Sequence, residues 1–197
     1  MKSFDREKIK RIEEIKELTA GKRVVMCHGV WDLLHPGHLE HLEEAAQLGD
    51  VLVVGVTCDK YVKIAKGQAH PRFHAYQRAL SLAALSLVDF VVIDYDATPV
   101  GNLRVLQPTV YVKGPDYSGS FANMQKLRKF EIPVVEEYGG EIKFTGGEKL
   151  SSTELHKHLD VGPYHRDPIA YRELVEKTYS EVPDINLPAE FARSIPD

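Results

Sequence analysis

Two histidines flank a Pro-Gly pair in the stretch HGVWDLLHPGHLEHLEEA, residues 28–45, where an apolar run stops and a helical pattern begins. Imidazole can donate a hydrogen bond, ligate a metal or carry a proton. A helix starting near Gly37 presents free backbone N–H groups and the positive end of its dipole, which together make an anion site. Phosphate is the expected occupant. Pro36 fixes the approach to the turn, and Gly37 lets backbone and ligand come close. His35 and His38 then offer donors from either side, suited to charge that develops during a reaction and not to nucleophilic attack.

A metal site competes with this reading. His35, His38 and His41 are spaced by three, with His28 just upstream, and on a regular helix His38 and His41 would share a face and could both ligate zinc. Against it, Pro36 and Gly37 break the helical register between His35 and His38, and we place the phosphate reading first. Cys27 and Cys58 show no C-x-x-C spacing and read as buried free thiols.

Composition bounds the partners. The 197 residues are 43% hydrophobic and 27% charged, enough for one full core plus a short appendage. With a net charge of −4 and dispersed lysines and arginines, nucleic acid is not an expected partner. The first twenty residues are too charged for a signal peptide, and no apolar run approaches the ~18 residues of a membrane span. A cytoplasmic protein without membrane contact is expected.

The elements that must position the histidines follow from periodicity. Ile9, Ile12, Ile15 and Leu18 recur at helical spacing in a charged segment stopping at Gly21, so residues 1–21 read as an N-terminal helix. RVVMCH, VLVVGVT, DFVVID, TVYVKG and EIKFTG read as five short strands. Helices are predicted from about Gly37 to a C-cap at Gly49, over AYQRALSLAALS, over TPVGNLRVLQP, before the fifth strand, and over LSSTELHKHL. The stretch TCDKYVKIAKGQAHPRF reads as a loop. Short apolar strands alternating with helices specify an α/β fold, a doubly wound five-stranded parallel sheet. Right-handed crossovers make 3-2-1-4-5 the natural order. The ligand crevice then lies beyond the strand ends where the order reverses, which brings the turn after strand 1 and the turn KGPDYSGS after strand 4 together.

These residues also carry a family resemblance. GVWDLLHPGH resembles the G-x-F-D-x-L-H-x-G-H signature of the cytidylyltransferase-like nucleotidylyltransferases, with Trp31 where phenylalanine is usual, and LSST resembles the S-[ST]-T motif opening the last helix of that superfamily. LGDVLVVGVTCD, a KG followed by Pro and QR, VDFVV, VYVKGPDY and GGEI line up in order with the adenylyltransferase domains of ADP-heptose synthases, from about Lys22 to Leu159. The resemblance implies a Rossmann-like nucleotidylyltransferase domain over residues 22–159. Its implied activity is transfer of a nucleoside monophosphate from ATP to a sugar 1-phosphate, with pyrophosphate released and no covalent intermediate. CTP with a polyol phosphate such as glycerol 3-phosphate is the alternative substrate pair, and a non-catalytic nucleotide-binding module the alternative of another class.

The resemblance also assigns residues. His35, His38, Lys66 and Lys113 are the implied catalytic groups. Gly29, Val30, Gly37, Arg78, Gly114, Ser151, Ser152 and Thr153 are the implied nucleotide contacts, with Ser152 and Thr153 on the outer phosphates unless they simply cap their helix. Asp32, Asp59 and Asp116 are the implied substrate contacts, although Asp32 could equally bond backbone in its turn. Arg78 is either electrostatic or structural. Where the family often carries Arg directly before Pro, this chain has His70, with Arg72 two residues on. Mg²⁺ is implied by the chemistry and would be held mainly by substrate phosphates; no protein metal ligand is read. The segment around residues 118–140 either shapes an acceptor site or makes a dimer contact. The tail, residues 160–197, holds Pro163, Pro168, Pro183, Pro188 and Pro196 around one helix near 169–179. It is expected to pack as an arm in a homodimer, or to lead to a sugar kinase partner.

Overall fold

In the computed structural model, residues 6–118 and 121–146 are described; residues 151–153 and the tail lie outside them. Five strands, β1 (Val24–Gly29), β2 (Val51–Thr57), β3 (Phe90–Asp94), β4 (Val110–Lys113) and β5 (Glu141–Phe144), form one parallel sheet in the order β3-β2-β1-β4-β5. This is the order expected from right-handed crossovers. The middle strands are buried almost throughout because helices cover both faces, which is why their sequences run apolar without alternating. β5 is an edge, and its exposed Glu141 and Lys143 put charge where another strand would pair.

The helices sort by face. α2 (Pro36–Ala46) and α4 (Ala75–Ala83) pack on one face, with Leu42, Ala45, Ala79 and Leu82 against Val25, Val54 and Val91. On the other lie α1 (Ile12–Leu18), α5 (Val100–Leu106) and α8 (Ile132–Glu137), with Ile15, Leu103 and Val135 against Met26, Val53 and Tyr111. Among the described residues no helix is long and apolar enough to cross a membrane.

Four sequence expectations are corrected. Residues 59–66, read as a loop, form α3 (Asp59–Lys66): Val62 is buried, and Asp59 in the first turn with Lys63 and Lys66 in the last suits the helix dipole. Ile9 is outside the N-terminal helix; it bridges Val91 in parallel, and Lys10 N donates to Val91 O at 3.0 Å, which ties this segment to the β3 edge. Leu18 is half exposed and adds nothing to the helix's buried stripe. The helix before β5 is broken. α6 (Pro115–Ser118) and α7 (Phe121–Lys126) lead into a π-helical turn over Leu127–Glu131 and then α8, whose second residue is Pro133. Proline has no N–H to donate to the carbonyl four residues back, and the wider turn accommodates that loss.

Gly49 also acts differently from the expected C-cap, since Gln47 takes that role. A Cβ on Gly49 would stand 2.4 Å from Arg23 O and 2.7 Å from Val25 Cγ2, because the α2–β2 turn crosses directly over the start of β1. Asp50 N donates to Arg23 O at 2.8 Å, and Arg23 N returns a bond to Asp50 Oδ2 at 2.8 Å. Gly49→Ala should therefore destabilise the fold by about 1–3 kcal/mol. Urea unfolding of the purified variant checks this; an unchanged midpoint would mean the turn can lift off β1.

Candidate functional site

The order reverses between β1 and β4, so their carboxyl ends open onto one crevice. On the β1 side the chain makes a tight turn in which Trp31 and Leu33 adopt left-handed backbone, φ 57° and 56°. Each costs about 1–2 kcal/mol in a residue with a side chain. Trp31 offsets part of that by burial and by donating Nε1–H to Gly55 O at 2.9 Å. Its indole lies over the strand end because Gly29 has no side chain; a Cβ there would meet the ring at 3.1 Å.

His35 is the N-cap residue of α2 in extended conformation, and Pro36 is the first helical residue. His35 O accepts from His38 N at 2.9 Å, so the two imidazoles are held one turn apart and stack at 3.8 Å between ring centroids. No acidic residue occupies the first turn of α2, so the helix itself brings no carboxylate to the positive end of its dipole. His38 is held down to about pKa 3, first by burial and then by the charges of His35, His41 and Lys66. It is therefore a neutral donor at pH 7. Among the described residues its Nδ1 is buried without a hydrogen-bond partner, and the ring packs between His35 and Trp31, whose ring centroid lies 5.2 Å from it.

His41 belongs elsewhere. Its Nδ1 pairs with Thr145 Oγ1 at 2.8 Å and its ring stacks on Trp31 at 5.8 Å. Among the described residues no group of three or more His, Cys, Asp and Glu is arranged to hold a metal ion.

The other sequence candidates separate into those near the crevice and those built into its walls. Arg78, expected at the nucleotide, is 1% exposed. It donates from Nε to Phe73 O at 2.8 Å, from Nη1 to Val30 O, and from Nη2 to Thr57 O at 2.7 Å and Asp59 Oδ1 at 2.6 Å. Asp59, expected at the substrate, is the buried counter-ion of this guanidinium. Both therefore brace the wall. Asp32 is buried and accepts from Arg72 N at 2.8 Å and Phe73 N at 3.2 Å, with His70 Nδ1 at 4.0 Å. It bonds backbone 40 residues away, in the loop where this chain departs from the family's Arg-Pro. Lys66 is an exposed residue at the end of α3 whose charge reaches His38.

On the β4 side, Lys113 is engaged by protein groups. Its ammonium is buried, 2.9 Å from Glu131 Oε2, 3.0 Å from Tyr111 Oη, and 4.1 Å from the centroid of the Tyr117 ring. Tyr111 in turn donates to Glu131 at 2.6 Å. Gly114 has open space where a side chain would be, and Asp116 lies in α6. Sequence reasoning missed Glu131, which only the π-helical turn brings under Lys113. It also missed the pair of His28 Nε2 and Asp94 Oδ2, 3.4 Å apart across β2. The His28 ring lies against Gly55, where a Cβ would come within 2.7 Å of Cδ2. A glycine in an otherwise apolar strand was the available signal.

The imidazoles set a pH dependence. Burial is the main cause holding His28 and His38 to about 3 and His41 and His74 to about 4, against an ordinary 6.5. Between those values the unfolded chain binds more protons than the folded one, so stability falls as pH drops below about 6.5. Asp94, pushed up to about 7 chiefly by burial, acts in the opposite sense over the same window. Four groups outweigh one. Melting temperature should be level from about pH 7 to 8 and fall steeply between about pH 6 and 4; a flat profile there would contradict the burial of these rings.

Comparison with known proteins agrees with this geometry. Residues 26–157 match the family model described as cytidylyltransferase-like. The chain is 41% identical over 140 residues to the bifunctional protein HldE of Aliarcobacter butzleri (strain RM4018), covering 66% of this chain and 29% of that protein. It is 42% identical over 147 residues to HldE of Geotalea uraniireducens (strain Rf4), covering 74% and 29%. The chain thus spans less than a third of the length of these relatives. A solved lipopolysaccharide core biosynthesis protein from Thermoplasma volcanium GSS1 superposes with a TM-score of 0.50 at 26% identity, over 66% of this chain and 100% of that one. A pantoate-beta-alanine ligase from Francisella tularensis shares the fold alone, with a TM-score of 0.53 at 16% identity over 95% of this chain and 84% of that one. A five-stranded 3-2-1-4-5 sheet with paired imidazoles at its switch point, matched over residues 26–157, makes this chain a member of the cytidylyltransferase-like family of nucleotidyltransferases.

Proposed function

We propose that the protein transfers AMP from ATP to a sugar 1-phosphate such as heptose 1-phosphate, forming an NDP-sugar and pyrophosphate. The observation that carries this is the stacked pair His35 and His38 at the N-terminus of α2. His35 is buried and His38 neutral, a donor site suited to a polyphosphate. The acceptor phosphate is already ionised at neutral pH, so its oxygen attacks the α-phosphorus without a base. A bond forms from that oxygen to phosphorus as the α–β bridging bond breaks and pyrophosphate leaves. The protein's work is to hold two polyanions in line and meet the charge growing on the phosphates. His35, His38 and the first turn of α2 supply donors there, Lys66 adds charge from α3, and Ser151, Ser152 and Thr153 are assigned to the outer phosphates.

Mg²⁺ fits this scheme as a companion of the triphosphate. It would neutralise phosphate charge when bound, held by phosphate oxygens and water. The carboxylates nearest the turn are engaged by protein groups: Asp32 by the amides of Arg72 and Phe73, Asp59 by Arg78. The relatives are named bifunctional, and we infer that a sugar kinase activity supplies the acceptor 1-phosphate, with a homodimer as the working assembly. Activity in the cytoplasm follows from these substrates.

Pyrophosphate release, screened with four nucleoside triphosphates against sugar and polyol phosphates, tests the reading. ATP with a sugar 1-phosphate should be best. CTP with glycerol 3-phosphate would establish the cytidylyltransferase alternative, and no turnover at all a binding module. His38→Ala should lower kcat and kcat/KM together by about 10²-fold or more, since its donor acts mainly in the transition state. Near-normal kcat would remove His38 from the chemistry. Replacing Ser152 and Thr153 with Ala should raise KM for the triphosphate and leave that of the acceptor unchanged. A fall in Tm alone would reduce them to helix caps.

A further inference from the structure

His41 is a histidine that the proposed chemistry leaves unused. It is 8% exposed on the same helix as His38, and burial holds it neutral, at about pKa 4. Its Nδ1 meets Thr145 Oγ1 at 2.8 Å, just past β5 and 104 residues away in sequence. Thr145 is itself buried, and its N–H donates to Lys113 O at 3.0 Å, which ties it to the carboxyl end of β4. One helical turn on, Glu44 Oε2 accepts from Gly146 N at 3.0 Å. Residues three apart share a face of α2, so two adjacent bonds join that face to the end of β5.

These bonds anchor one end of an array of rings. His41 stacks on Trp31 with centroids 5.8 Å apart and planes at 24°, Trp31 meets His38 at 5.2 Å, and His38 stacks on His35 at 3.8 Å. Trp31 is pinned within the array, because its Nε1–H donates to Gly55 O at 2.9 Å and its indole lies over Gly29. A catalytic imidazole commonly takes its orientation from a hydrogen bond at one ring nitrogen. Nδ1 of His38 makes none among the described residues, and rotation of the ring about its last side-chain bond has a broad preference of its own. The neighbouring rings are left to set it. We propose that His41 is a positioning residue: its bond to Thr145 fixes the Trp31 indole, and the indole fixes the plane of His38, so that the His38 donor stays aimed at the phosphates. This rests on the phosphate reading of His38 above. It also gives a chemical reason for histidine at a buried helix position, because leucine could fill the space but neither engage the threonine hydroxyl nor offer the indole a flat face.

Kinetics in two backgrounds separate this role from general packing. His41→Leu and Thr145→Val should each lower kcat by about 5- to 20-fold, the range for one buried hydrogen bond, with KM for the triphosphate changed by less than about twofold. Thr145→Ser should restore kcat. In a His38→Ala background the same substitutions should lower kcat by less than about twofold, because the ring they position is gone. Losses that simply add to that of His38→Ala, or a lower Tm with kcat unchanged, would overturn the proposal and leave the functional reading standing. If His41→Leu does not fold, the near-isosteric Thr145→Val carries the test. Imidazole NMR supplies a readout that needs no turnover: the His38 ring signals should be displaced or broadened in Thr145→Val and return in Thr145→Ser. Unchanged signals would also overturn the proposal. A wild-type protein inactive with every nucleotide and acceptor would overturn the functional reading, and the NMR comparison would still decide whether His41 holds the His38 ring.

Discussion

The crevice depends on one buried guanidinium. Arg78 reaches from the first turns of α4 to the carbonyls of Val30, Thr57 and Phe73 and to the carboxylate of Asp59. It thereby joins the turn after β1, the turn after β2 and the loop before α4. Asp32 repeats the logic from the other side by accepting the amides of Arg72 and Phe73. Loops at strand ends carry many polar backbone groups and little core, and without such ties they would sample many conformations. An arginine suits the task because its planar fork can satisfy several carbonyls at fixed angles.

With the loops fixed, the electrostatics of the site follow from burial. The rings of His38 and His41 are withdrawn from water, so both are neutral in the free protein. A neutral His38 tolerates the 3.8 Å stack on His35 that two imidazolium ions would resist. Lys113 is different. Glu131 and the two tyrosines hold its charge, which also acts on His41 through the field. The buried pair of His28 and Asp94 lies on this same face, beyond Gly55.

Much of this was legible in the residues. Strand runs without alternation, helices between them and the rule on crossover handedness were enough for the 3-2-1-4-5 sheet, and topology alone brought the histidine turn and β4 to one crevice. That His35 and His38 pair at a helix start was legible from a proline and a glycine. What could not be read was which polar side chains face the ligand and which face each other. Arg78, Asp59, Asp32 and Lys113 look alike as crevice residues in a linear sequence. The partners that decide their roles, Glu131 for Lys113, Val30 and Asp59 for Arg78, and Arg72 for Asp32, lie between 18 and 48 residues away.

By itself, then, the sequence determined the layers, the strand order and the point where that order reverses, because periodicity and backbone handedness are local properties that propagate into topology. Tertiary structure alone decided the roles. Whether a charged group waits for a ligand or braces a wall depends on whether burial has given it a protein partner. The π-helical turn that brings Glu131 under Lys113, the glycine that admits the Trp31 indole and the threonine that meets His41 are matters of a few ångströms between segments far apart in the chain.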